Sequence, residues 1–174
     1  MKSLVDHLSQ YAAYHRDPRN IASHFIGIPL IVVAVAVLLS RPEWSVGGLW
    51  ISPAVIAALA SAWFYLRLEL KLGALMTVLM GLSVWAGHVL AQQSTMVWLS
   101  SGLAMFVIGW AIQFVGHHYE GRKPAFVDDL SGLIVGPLFV VAELAFMLGM
   151  RHELKEQIEA RAGVVRVNPN RAAV

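Results

Sequence analysis

The chain has no cysteine. That excludes disulfides, thiolate-held zinc, iron–sulfur clusters and thiol catalysis, and leaves any metal to His, Asp, Glu or other nitrogen and oxygen ligands. Charge is also scarce: Asp, Glu, Lys and Arg make up 14% of the 174 residues, against roughly 25% in an average soluble domain. The formal charge of +2 is small and no basic stripe occurs, so nucleic acid is not an expected partner. There is no HExxH, and Phe114 stands where a His-x-x-His-His box would need its first His. The first twenty residues lack a continuous apolar core, being interrupted by Asp6, His7, Gln10 and His15. They do not read as a signal peptide.

What is present in excess is hydrophobic surface, at 57% of the residues. A spanning helix needs ~20 largely apolar residues. Five segments approach that length: about His24–Leu39, Leu49–Leu66, Leu72–Ala91, Met96–Val115 and Leu130–Met150. None alternates with period 2, so helices are expected, not barrel strands. The expected fold is an all-α integral membrane helical bundle. It has four or five transmembrane helices and is preceded by an amphipathic interfacial helix over residues 1–16 with Leu4, Leu8, Tyr11 and Tyr14 on one face. One domain covers 1–174, ending in a C-terminal helix and a frayed tail over 151–174. The fifth segment is atypical, because Gly136-Pro137 and Glu143 interrupt it, and it either spans or re-enters. The glycines at 27, 47, 48, 73, 81 and 87 are expected to serve turns or close helix contact.

Lys2, Arg16 and Arg19 precede the first span, Arg67 and Lys71 separate the second and third, and Arg122 and Lys123 follow the fourth. By the positive-inside rule these loops face the cytoplasm. The short loops suggest a bacterial inner membrane, or the endoplasmic reticulum in a eukaryotic cell. The sequence leaves the oligomeric state open.

This topology sorts the seven histidines. His15, His24, His117 and His118 share one membrane face, whereas His88 lies near the far end of the third span. Asp17-Pro18 suits the start of a new helix, so a corner between His15 and His24 can turn both rings inward. His117 and Glu120 are three apart and neighbours on a helix face, and Gly121 suits a helix stop. Asn20 and Gln113 each lie one turn before a histidine. Neutral imidazoles with a nearby carboxylate suit a non-haem iron site. The plain alternative is that these histidines face water at span ends. Two further rivals are a haem-binding membrane protein with axial histidines and a non-catalytic transporter or scaffold.

YHRDPRNIASHFIGIPL over 14–30 and WAIQFVGHHYEGRKPAFVDDL over 110–130 together resemble the 2-hydroxy fatty acid dioxygenase family, small membrane proteins of fatty acid α-oxidation in phytosphingosine breakdown. The resemblance extends to the order of hydrophobic segments and to GPLF at 136–139. It implies an Fe(2+) enzyme that uses O2 to cleave C1–C2 of a 2-hydroxy long-chain fatty acid in the lipid bilayer, leaving a fatty acid one carbon shorter. It implies His15, His24 and His117 as metal ligands, with His118 and His88 as weaker candidates. Glu120, Arg122, Asn20 and Gln113 would be further site residues, Arg122 meeting the substrate carboxylate.

Overall fold

The computed structural model describes residues 2–166; the end of the expected frayed tail lies outside them. Helices account for nearly all of the regular structure. Three are long and apolar enough to cross a membrane: α2 (Pro18–Leu38), α4 (Leu70–Ala91) and α5 (Thr95–Glu120). The short helix α1 (Leu4–Ala12) precedes them, and α3 (Pro53–Leu68) lies between α2 and α4. The chain ends in α6 (Gly132–Met147) and α7 (His152–Ala162), bent by 118° at their junction; counted as one broken span, they make a fourth. The protein is thus of the all-α membrane class.

Residues 2–28 with 111–166 form one compact unit, and residues 29–110 form another. In the second unit, part of the expected Leu49–Leu66 span is not helical. Trp44–Val46 (β1) pairs antiparallel with Leu49–Ile51 (β2), Val46 opposite Leu49. The reason is local: Gly47 and Gly48 adopt φ of +58° and +82°, and two consecutive positive φ values suit the tight turn that closes a hairpin. Pro53 then opens α3, leaving 16 helical residues, or ~24 Å. Glu69 alone separates α3 from α4, and its carboxylate caps α4 by accepting from the Lys71 and Leu72 amides. Gly73 sits so close to the end of α3 that a Cβ would lie 2.7 Å from the Leu66 backbone. Arg41 caps the end of α4: its guanidinium donates to the carbonyls of Ala91 and Gln93.

In the first unit α1 begins with a capping box. The Asp6 amide donates to Ser3 Oγ and the Ser3 amide to Asp6 Oδ2, satisfying two donors that a helix start leaves open. Its apolar residues Leu4, Leu8 and Tyr11 are buried, and α6 and α7 pack against the helix. Burying each such side chain contributes about 1.5–3 kcal/mol. Gly149 and Arg151, both with positive φ, redirect the chain between α6 and α7, so the fifth apolar segment ends sooner than its length suggested. Arg161 on α7 then pairs with Asp6 on α1 at 2.5 Å. Residues 163–166 turn back to the start of α2, where the Arg166 amide donates to Arg16 O at 2.8 Å.

Candidate metal centre

Three segments of the first unit supply three buried histidines. α1 ends at Ala12, and a non-helical corner carries His15. α2 starts at Pro18, with Asp17 Oδ1 accepting the Arg19 amide at 2.9 Å; His24 follows in its second turn. α5 runs past the expected end at Val115 to Glu120 and stops at Gly121, φ +68°. This extension carries His117. His15, His24 and His117 are 0%, 1% and 6% exposed, burial unusual for a titratable ring.

Their rings lie edge to face, with centroids 4.4 Å apart for His15 and His24, 5.0 Å for His15 and His117, and 5.2 Å for His24 and His117. One nitrogen from each lies within 4.8 Å of the others. The tautomers of two follow from their partners. His15 Nδ1 is 2.7 Å from Tyr11 O, and His24 Nδ1 is 2.8 Å from Asn20 O. A carbonyl only accepts, so each Nδ1 carries the proton and each Nε2 keeps its lone pair. Burial, with the neighbouring His24, pushes His15 well below its ordinary value, so it is neutral. His15 Nε2 and His117 Nδ1 are buried with no hydrogen-bond partner. An unmet buried acceptor costs about 1–3 kcal/mol, and a cation among three neutral nitrogens would satisfy it. The donor set suits iron, zinc, copper or nickel. No two of the rings stand far enough apart for a macrocycle to lie between them, which disfavours the haem alternative.

Glu120 lies one turn beyond His117, with its carboxylate turned to the corner. Oε2 accepts from the Arg16 amide at 3.0 Å, the Asp17 amide at 2.7 Å and Asn20 Nδ2 at 3.1 Å. It therefore ties the two segments bearing His15 and His24 to α5. Asn20 and Gln113 are both buried, and Asn20 Oδ1 and Gln113 Nε2 lack partners. Gly116 is where α2 meets α5: a Cβ there would collide with Ser23 Oγ and lie 2.6 Å from Asn20 Oδ1. The other candidates are not members of this cluster. His118 is exposed. Arg122 is exposed and donates to Ala13 O at 2.8 Å. His88 belongs to the second unit, where it stacks on Trp50 and meets Glu43 at 2.7 Å.

Two participants escaped sequence reasoning. Tyr11 stacks on His15 with centroids 4.1 Å apart and planes 7° from parallel; the spacing of four residues was the available signal. Arg16, read as a surface anchor, is buried, with Nε on His15 O, Nη1 on Gly163 O and Nη2 3.7 Å from Glu143. A cavity of about 500 Å³ adjoins it, lined by Ile21, Phe25, Phe146 and Val164 among others, and the three histidines do not line it.

A family model described as 2-hydroxy-palmitic acid dioxygenase Mpo1-like matches residues 1–148. The 2-hydroxy-palmitic acid dioxygenase MPO1 of Saccharomyces cerevisiae is 33% identical over 163 residues, covering 91% of this chain and 90% of the relative. No solved structure matches the chain.

Proposed function

The chain belongs to the Mpo1-like family, and on that premise we propose that it is an iron(II)-dependent dioxygenase of 2-hydroxy long-chain fatty acids. It cleaves C1–C2 with O2 and leaves a fatty acid one carbon shorter. The observation that carries this reading is the trio of buried imidazoles, with two tautomers set by backbone carbonyls and two ring nitrogens unpartnered. His15, His24 and His117 would hold the iron, which when bound supplies the site where hydroxy acid and O2 are activated.

The chain's own groups then act around it. Glu120 holds the corner and is not spent on the metal. Asn20 and Gln113 lie one turn from His24 and His117 on the same helix faces, ~6 Å along the axis. Asn20 Oδ1 accepts and Gln113 Nε2 donates, which matches a 2-hydroxyl that needs one of each. Arg122 would meet the carboxylate, where paired hydrogen bonds are strong. The acyl chain would lie among apolar side chains in the bilayer, with the head at the cytoplasmic face.

The test is anaerobic purification, metal analysis by mass spectrometry, and addition of 2-hydroxypalmitate and O2. Stoichiometric iron and a fatty acid one carbon shorter support the reading. No metal uptake even after reconstitution with Fe(II) defeats it. For Arg122→Ala, KM should rise about tenfold or more, the worth of ~1.4 kcal/mol, with iron retained; an unchanged KM removes Arg122 from the site.

A further inference from the structure

We propose that Arg166 is a positioning residue and that residues 163–166 form a strap fixing the histidine-bearing corner. This rests on the metal reading above. Arg166 lies beyond residue 148, where the family match ends, and belongs to a stretch that the sequence reads as a frayed end.

Two hydrogen bonds join the backbones and side chains of strap and corner. The Arg166 amide donates to Arg16 O at 2.8 Å, and Arg16 Nη1 donates to Gly163 O at 2.8 Å. Arg16 Nε in turn donates to His15 O at 2.9 Å. The third link is ionic. Arg166 Nη2 meets Glu120 Oε1 at 3.1 Å, and the Glu120 side chain is 0% exposed. The other carboxylate oxygen holds the Arg16 and Asp17 amides and Asn20.

Glu120 needs a cation for two reasons. A buried carboxylate is costly without a partner. It also stands in the last turn of α5, where the helix dipole disfavours negative charge. Arg166 offsets both, and so holds the carboxylate aimed at the corner. The corner in turn sets the angle between His15 and His24. Outer groups that orient metal ligands are typically worth about 10–100-fold in affinity.

The experiment uses the full chain in detergent, as wild type, Arg166→Ala, Arg166→Lys and Arg161→Ala. The last breaks the α7–α1 ion pair with Asp6 and controls for general loosening of the C-terminal helix. Two quantities are read: amide hydrogen exchange over residues 14–20 without metal, and release of bound Co(II) to a chelator. Arg166→Ala should raise exchange at the Arg16 and Asp17 amides and speed cobalt release by about tenfold or more. Arg166→Lys should recover part of both, keeping the charge without the planar fork. Arg161→Ala should move neither. Wild-type behaviour from Arg166→Ala overturns the proposal, as does an equal effect from Arg161→Ala. A wild type that takes no cobalt, yet shows the exchange difference, sinks the metal reading and leaves the strap standing.

Discussion

Apart from Tyr65, residues 29–110 bury two described polar side chains, Ser40 and Ser52, and each meets backbone close by in sequence: Ser40 Oγ donates to Ala36 O, and Ser52 Oγ accepts the Val55 amide. The same unit leaves Leu59, Trp63, Leu82 and Trp85 largely exposed. The other unit exposes apolar residues too, Phe114, Leu133 and Met147 among them, and differs in what it buries. It buries His15, Arg16, Asp17, Asn20, His24, Gln113, His117 and Glu120. A bilayer accounts for the first pattern, since apolar side chains facing outward meet lipid. Stability alone does not account for the second, because apolar residues would fill that space at lower cost. Buried polar groups with empty valences indicate chemistry. The comparison teaches that the two units share an apolar exterior and differ in what they bury.

The strongest way to break this contrast is to remove a ring from the buried cluster. His24→Ala should weaken metal binding by more than the ~10–100-fold that outer partners are worth, with turnover falling in parallel. His88→Ala, in the unit of residues 29–110, should leave metal content unchanged. Metal analysis of both variants decides, and retention of full metal by His24→Ala defeats the assignment. Next in size is Glu120→Ala, which strands the buried Arg16 and Asp17 amides at about 1–3 kcal/mol each. At ~2–4 °C per kcal/mol for a chain of this size, calorimetry should show a melting point several degrees lower.

A pair of glycines sharpens the same comparison. Gly116→Ala forces a Cβ into Ser23 and Asn20 and should cost about 1–3 kcal/mol. Gly81→Ala, on α4 with open space around it, should gain about 0.5–1 kcal/mol from helix propensity. Thermal melts of the two should shift in opposite directions. The smallest effect concerns acid. The folded pKa of His15 lies well below its unfolded value near 6.5, so its contribution is fully present above pH ~6.5 and is lost as pH falls below it. The metal-free protein should melt at a constant temperature from pH 8 to 7 and at falling temperatures from pH 6.5 to 5. A flat profile would place His15 in water.

Much of this was legible beforehand because its causes are local. Asp17-Pro18 starts α2 and Gly121 ends α5 through preferences of one or two residues. His15, His24 and His117 could be grouped because span order places them at one set of helix ends. The hairpin was not legible: Leu49–Ile51 continues an apolar run that suits strand or helix equally, and the turn at Gly47-Gly48 decides. The bend at Gly149–Arg151 was hidden in the same way, inside a run long enough to span. Glu120 was noticed for its spacing from His117, but its orientation depends on Arg166, 46 residues later. Arg16 counted as a topological charge, and only the packing of α6 and residues 163–166 around it makes it a buried hydrogen-bond hub.

Residues 29–110 sit as one insertion between the two stretches that compose the other unit, and this has a consequence for biogenesis. On the ribosome His15 and His24 emerge early, but their third neighbour comes about 90 residues later, a wait of roughly 5–20 s at ordinary rates of synthesis. The intervening helices are made first. Closing so long a loop then adds little more entropy than closing one of half the length, about 0.6 kcal/mol per doubling. Residues 163–166 arrive later still and fasten onto Arg16 and Glu120. The nascent chain thus lacks the third histidine of its cluster until the helices of residues 29–110 have been made.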